Sequence, residues 1–407
     1  MSRVIVIGGG PAGMMAAITA AQNGNNVTLL EKNAEVGKKL LITGKGRCNV
    51  TNACVPEGFI ANTPVNGRFL YSALRAYSNQ DVMAFFEARG VPLKEERGGR
   101  IFPVSDKAAD ILGALKKELK TAGVTVIQTR AAHILTADGA VSGVQAEGGK
   151  VLSCNRVILA TGGKSYPLTG STGDGYAMAK ELGHEITPLS PSLVPLETEE
   201  KWIPELQGLS LRNTGLKVLN KDSGKVLFED FGELLFTHYG VSGPIILSAS
   251  SFVRNIAGKL IELDLKPALS EEKLEERILR DFEKFSNKNF ENGLTELLPA
   301  KLIPVAVRLC RIQGDKKVHQ ISREERKRLV QLLKHFTFTV SRTRPIEEAI
   351  ITSGGVNVRQ INPATMESKL VQGLFFAGEI IDVDAYTGGF NLQIAFSTGF
   401  AAGSHVS

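Results

Sequence analysis

The run Gly8-Gly9-Gly10-Pro11-Ala12-Gly13 limits what this chain can become more than any other stretch. It follows the apolar residues Val4 to Ile7, opens an Ala-rich helical pattern, and precedes a second apolar run, Val27 to Leu30, that ends on Glu31. Glycine spacing alone is a weak signal, but the order strand, glycine turn, helix, strand, acid reads as a dinucleotide site. Gly8 makes the tight turn, Gly10 lets the backbone approach a pyrophosphate, and Gly13 lets helix and strand pack closely. Pro11 and Ala12 open the helix, whose first amides face the phosphates. Glu31 lies 18 residues beyond Gly13, where a carboxylate can accept hydrogen bonds from a ribose diol and disfavour a 2′-phosphate.

The chain has 407 residues, 43% hydrophobic and 22% charged, enough for two or three domains with real cores. No apolar run approaches the roughly 18 residues of a membrane span, so no membrane association, no signal peptide and a cytoplasmic location are expected. Cys48, Cys54, Cys154 and Cys310 form no C-x-x-C pair, and the six histidines are dispersed, so neither a metal site nor a redox dithiol is expected. The net charge is +6, with the densest basic stretch at Lys316, Lys317, Arg323, Arg326, Lys327 and Arg328. Glu324 and Glu325 interrupt it, and Ser322 with Glu325 stands in capping-box positions. A solvated helix face is therefore the expectation, and nucleic acid is not expected as a partner.

Strand and helix signals alternate through the first half, with an amphipathic stretch from Asp106 to Ala122 and apolar strands at Val124 to Ile127 and Arg156 to Leu159. This predicts an α/β fold with a parallel sheet covered by helices. From about residue 187 prolines and short β-type runs mark a separate β-rich region over 188–265. Helical signals fill 266–334: Ser270 caps a helix whose stripe is Leu274, Ile278, Phe282 and Phe285. Strand texture returns over 335–355, and 356–407 closes the nucleotide domain begun by 1–187.

Three further blocks carry chemistry. Gly44 to Asn52 combines Gly46 with the donors Arg47, Asn49 and Thr51, and is suited to phosphate, ribityl or ring heteroatoms. Cys48 within it reads as a small packed side chain rather than a nucleophile. The strand Val157 to Leu159 ends in Ala160-Thr161-Gly162-Gly163, where a chain can pass under a dinucleotide. The last block runs from Gly378-Glu379 through Tyr386-Thr387-Gly388-Gly389-Phe390-Asn391-Leu392-Gln393. A helix starting near Asn391 would direct free amides at a reduced flavin ring, and the glycine pair would let the ring approach. Thr352 to Val356 is expected to abut the same ring, a plain turn being the alternative.

Taken together, Gly8 to Gly13 with Glu31, the G-R-C-N-x-T-N block at 46–52, Ala160 to Gly163, and the T-G-G-F-N-L-Q block at 387–393 resemble the BaiN/YhiN-type, aminoacetone-oxidase-like flavoproteins. The resemblance spans nearly the whole chain. It implies a noncovalently bound FAD in a Rossmann-like domain of the two-dinucleotide-binding-domain type, with an inserted β-barrel that carries a helical subdomain. It places Gly8, Gly10, Pro11, Ala12 and Gly13 on the pyrophosphate and Glu31, with Lys32 beside it, at the adenosine ribose. Gly46, Arg47, Cys48, Asn49 and Thr51 would line the flavin side, Ala132 would sit near adenine, and Ala160, Thr161 and Gly162 would pass beside the nucleotide. Gly378, Glu379, Gly389, Phe390, Asn391 and Leu392 would surround ribityl and ring.

The expected activity is FAD-dependent oxidoreduction of a small organic substrate by hydride transfer through flavin N5, with an enone-type double bond as one acceptor and NAD(P)H as a transient donor. A peroxide-forming oxidase of a small amine and an RNA-associated flavoprotein are the alternatives. His238, Tyr239 and Tyr386 are the candidate proton donors to a developing enolate, each with a purely structural reading beside it. Oligomeric state is not encoded in any of these signals.

Overall fold

The computed structural model describes residues 1–407, which form two compact units, one made of Met1–Ser192 with Ile346–Ser407 and the other of Leu193–Pro345. At the centre of the first is a five-stranded, all-parallel sheet in the order Leu374–Phe376, Arg156–Leu159, Arg3–Ile7, Asn26–Glu31, Thr125–Gln128. The inner strands Arg3–Ile7 and Arg156–Leu159 are continuous apolar runs after their first residue rather than alternating ones, because both faces are covered.

Two helices cover one another as well as the sheet. Pro11–Gln22 begins with proline at its first turn, where the missing N–H costs nothing, and buries nine of its twelve residues. Phe390–Ser404 buries eleven of fifteen. Neither has a polar face, as expected of helices enclosed on all sides. Their approach depends on small residues: a Cβ at Gly399 would lie 2.4 Å from the Ala12 carbonyl oxygen, and one at Gly403 would lie 2.5 Å from that of Ala16. Three small antiparallel sheets lie in the same unit: one of Ala131–Ala137, Ala140–Ala146 and Val151–Ser153, one of Thr51–Asn52, Leu93–Glu96 and Arg100–Pro103, and the pair Ser190–Ser192 and Ile351–Ser353.

The second unit is a closed antiparallel barrel whose strands run, around the ring, Leu196–Thr198, Gly240–Ser242, Val226–Phe236, Ser210–Leu219, Leu260–Asp264 and Phe336–Thr343. Closure leaves no free strand edge. Leu260–Asp264 alternates strictly, with Ile261 and Leu263 inside. Between the last two strands come the helices Glu271–Lys284, Ile303–Leu309 and Arg323–Lys334. Ser270 caps the first, accepting from the Lys273 N–H, and Leu274, Ile278, Phe282 and Phe285 are all buried. Ser322 and Glu325 form the reciprocal capping box of the third.

The boundaries between units fall inside those read from texture. Residues 188–192 and 346–355, expected in the barrel, belong to the first unit, because Ser190–Ser192 pairs there with Ile351–Ser353. Prolines 188 and 191 mark the approach to the crossing, not the crossing itself. No helix is long and apolar enough to cross a membrane.

Candidate FAD site

The three fingerprint glycines occupy different environments. Gly8 has φ +105°, and a Cβ there would lie 2.5 Å from the Ala160 carbonyl oxygen. At Gly13 a Cβ would lie 1.9 Å from the oxygen of Gly8. Both positions are closed by the chain itself. Gly10 is extended, and a Cβ there would meet no atom within 4 Å. Its backbone borders open space at the head of a helix with no capping side chain and no acid in its first turn, so the positive end of the dipole is uncompensated.

Glu31 ends its strand almost fully buried, accepting from the Gly9 N–H and from the backbone and side-chain amides of Asn33, each at 2.8 Å. A carboxylate offers about four acceptor directions, so capacity for a diol remains. Lys32 turns to Thr172 and, at 3.0 Å, to Asp174, which Arg130 also engages at 3.1 Å. Burial works to raise the Asp174 pKa, but hydrogen bonds from Arg130 and Lys32 overcome it and hold the group at about 2. Ala132 lies half-buried in the strand Ala131–Ala137.

A feature the sequence reading missed lies alongside. Asn33 donates to the Thr169 carbonyl at 3.1 Å, Lys38 to that of Leu168 at 3.2 Å, and Lys39 to the Ser165 hydroxyl at 2.8 Å. With the Lys32–Asp174 pair, four side chains from residues 32–39 strap the loop 165–174 across the end of the second strand. Lys39 also pairs with Glu379 at 2.8 Å, and the other Glu379 oxygen accepts from Ser165 and from the Thr352 N–H. The spacing of these residues holds no periodic cue.

The G-R-C-N-x-T-N block and the head of the C-terminal helix come together although about 340 residues separate them. Gly389 caps the helix with φ +95°, and a Cβ there would lie 2.2 Å from the Thr51 oxygen and 2.9 Å from Asn49 Oδ1. The Thr51 hydroxyl donates to Gln393 Oε1 at 2.6 Å, and the Gln393 amide reaches the Tyr77 carbonyl and Ser397. Phe390 is buried edge-on to Phe59, and Leu392 is partly buried. Gly378 sets φ +76° beside Ala12, where a Cβ would stand 2.7 Å from that of the alanine, and donates to Thr398 at 2.9 Å.

Some expected contacts have other partners. Arg47, expected to face the flavin, is engaged by Glu96 and Asp106 and lies 4.2 Å over the Phe102 ring. Its hydrogen bonds to Glu96 first, then to Asp106, raise its pKa. Gly46 and Cys48 turn the same loop with φ +85° and +61°. Cys48 is fully buried, and burial pushes its thiol up to about 12, which keeps it protonated near neutrality. Asn391 spends its side chain on the loop before it, bonding Ala385 N–H and carbonyl at 3.0 and 2.7 Å. Tyr386, on that loop, is half-buried, and burial followed by the nearby Asp384 raises its phenol pKa. His238 and Tyr239 lie in the second unit, stacked edge-on at 4.9 Å with the Arg344 guanidinium 4.6 Å over the tyrosine ring.

Among the buried oxygens of the first unit that have no hydrogen-bond partner in the protein are Asn49 Oδ1 and Thr161 Oγ1, with Ser192 Oγ a further one outside these blocks. Orphaned buried acceptors are costly. Asn49 and Thr161 belong to blocks expected to line a nucleotide, and with the open face at Gly10 they fit an FAD whose hydroxyls and ring atoms would satisfy them.

The HI0933-like protein Rossmann domain family matches residues 2–405. The chain is 32% identical to the 3-dehydro-bile acid delta(4,6)-reductase of Clostridium scindens, covering 99% of this chain and 98% of that one. It is also 32% identical to the ribosomal RNA dihydrouridine synthase of Haemophilus influenzae, covering 100% and 98%. Among solved structures, 3-ketosteroid delta1-dehydrogenase from Sterolibacterium denitrificans superposes with a TM-score of 0.52 at 13% identity, covering 100% and 99%, a likeness of fold alone.

Proposed function

The chain belongs to the HI0933-like family of FAD-dependent oxidoreductases, and from that premise we propose that it saturates a carbon–carbon double bond conjugated to a carbonyl, with uracil in RNA as the acceptor. The observation that carries this reading is the full-length likeness to two reductases whose names share one bond chemistry: a bile-acid Δ4,6 double bond beside a 3-oxo group, and the double bond lost when uridine becomes dihydrouridine. Reduced FAD, when bound, supplies the hydride for the β-carbon of such an acceptor. The chain supplies the rest. Gly10 and the helix head opened by Pro11 and Ala12 would hold the pyrophosphate, with Gly8 and Gly13 allowing the turn and the close helix packing behind it; Glu31 would hold the ribose, and Gly378 and Glu379 the ribityl side. Gly388 and Gly389 let the ring approach the head of Phe390–Ser404, whose first turn has no acid and favours negative charge there. Tyr386, a half-buried phenol whose pKa burial raises, delivers the proton to the α-carbon. NADH or NADPH serves as the transient donor.

A small free enone is the second reading, favoured by the equal identity to the bile-acid reductase. Holoprotein reduced without oxygen would be incubated with an in vitro ribosomal RNA transcript and, separately, with a 3-oxo-4,6-diene steroid. Dihydrouridine in the nuclease-digested transcript, measured by mass spectrometry, supports the first reading. Saturation of the steroid alone supports the second, and peroxide formation with neither product saturated refutes both.

A further inference from the structure

Residues 299–334 contain ten Lys and Arg against three Asp and Glu, a net of +7. The whole chain carries +6, so everything outside this segment is close to neutral. The excess positive charge of the molecule is thus concentrated in one part of the helical region of the second unit. Three of the ten cations are neutralised by carboxylates: Arg308 by Glu205, Lys316 by Glu325 and Lys334 by Asp264. Arg311, Lys317, Arg323, Lys327 and Arg328 are exposed and have no carboxylate in ion-pair reach.

Their placement is unfavourable for the protein alone. Arg323 and Lys327 are one turn apart on the helix Arg323–Lys334, a like-charged pair that disfavours the helix. With Arg328 they crowd its first two turns at the positive end of the dipole, where the acids are Glu324 and Glu325, the latter already engaged by Ser322 and Lys316. Arg328 Nε donates to the Cys310 carbonyl at 3.1 Å, which brings this basic end next to Arg311. The helix's own first amides are taken by the Ser322–Glu325 capping box, so the side chains, not the terminus, are the exposed feature.

We propose that Arg311, Arg323, Lys327 and Arg328 form a docking surface for the phosphate backbone of RNA, a role that rests on RNA being the acceptor. A solvated helix of purely structural purpose gains nothing from this arrangement, whereas a polyanion relieves the mutual repulsion and releases its counterions. All four residues belong to the second unit, whereas the residues assigned to FAD belong to the first, so the surface is given no part in the reduction itself.

The test uses the full-length holoprotein and a fluorescently labelled in vitro ribosomal RNA transcript, with affinity measured from low to moderate salt. The triple variant R311Q/R323Q/K327Q keeps the Arg328 bond to Cys310. It should fold and retain flavin as the parent does, while the slope of log affinity against log salt becomes shallower by about 2 to 3, since each phosphate contact contributes about 0.7–0.9. Affinity at low salt should fall by more than tenfold, and the R328Q addition should deepen both effects. Unchanged slope and affinity in a triple variant that is folded and flavin-loaded overturn the surface and leave RNA as acceptor standing. A parent protein that neither binds the transcript nor forms dihydrouridine, yet saturates the steroid, overturns both.

Discussion

Gly10 and Gly13 differ in what surrounds them, and that difference separates folding from binding. At Gly13→Ala the new methyl would sit 1.9 Å from a backbone oxygen, so the variant should lose stability by about 1–3 kcal/mol or more, seen in chemical denaturation. Gly10→Ala meets no protein atom, so its apoprotein should denature with the parent while its flavin content after purification falls. Equal flavin retention in the Gly10 variant would remove the pyrophosphate from that face. Tyr386→Phe should lower turnover by about 10²–10⁴-fold with flavin retention unchanged, if its phenol is the proton source. Asp174 adds a pH dependence. Its folded pKa, about 2, lies below the ordinary aspartate value near 3.9, so its contribution is complete above about pH 4 and is lost as pH falls through 2. Hydrogen exchange in residues 165–173 should therefore stay slow at pH 5, whereas Asp174→Asn should speed it at that pH.

The elements that formed where expected are those whose signals are local. Ser322 and Glu325 are three residues apart and close their capping box without help from the rest of the fold. The stripe from Leu274 to Phe285 has helical period and lies buried. The C-terminal helix is a different case. Its glycines at 399 and 403 carry no amphipathic signal, yet they allow backbone contact with Ala12 and Ala16. Gly399→Ala would place a methyl 2.4 Å from the Ala12 oxygen, and the two helices would have to part. A cost of about 1–3 kcal/mol is expected, together with weaker flavin retention, because the same helix presents Gly389 and the fingerprint helix presents Gly10.

At the scale of the molecule, every residue assigned to the cofactor lies in the first unit, and the barrel with its helices enters and leaves through one paired strand ladder. Ser192 pairs with Ile351, so the chain ends left by removing 193–345 are close. A protein with that segment replaced by a short Gly-Ser linker should retain flavin, read from its visible absorption, but lose reduction of RNA. Loss of flavin on that deletion would show that the second unit contributes to the cofactor site.

The alternation of apolar runs with glycine turns was enough to determine the fingerprint, Glu31 and the individual strands, because each of these signals lies within a unit of about 30 residues, although the sheet itself joins strands as distant as Val157 and Leu374. Capping and strand alternation marked the β-rich region and the helices of the insert for the same reason, while its closure into a barrel was implied only by the family resemblance. The contents of the pocket wall are another matter. Thr51 meets Gln393, Lys39 meets Glu379 and Ser165, and the orphaned oxygens of Asn49 and Thr161 are buried in the same unit, through pairings that leave no period in the chain. Arg47 shows the limit most directly: its motif suggested a cofactor contact, but Glu96 and Asp106 stand within reach, and a guanidinium takes the carboxylates that folding brings to it. Sequence fixes which residues are available over short range, and only the tertiary structure decides which distant partner each polar group finds.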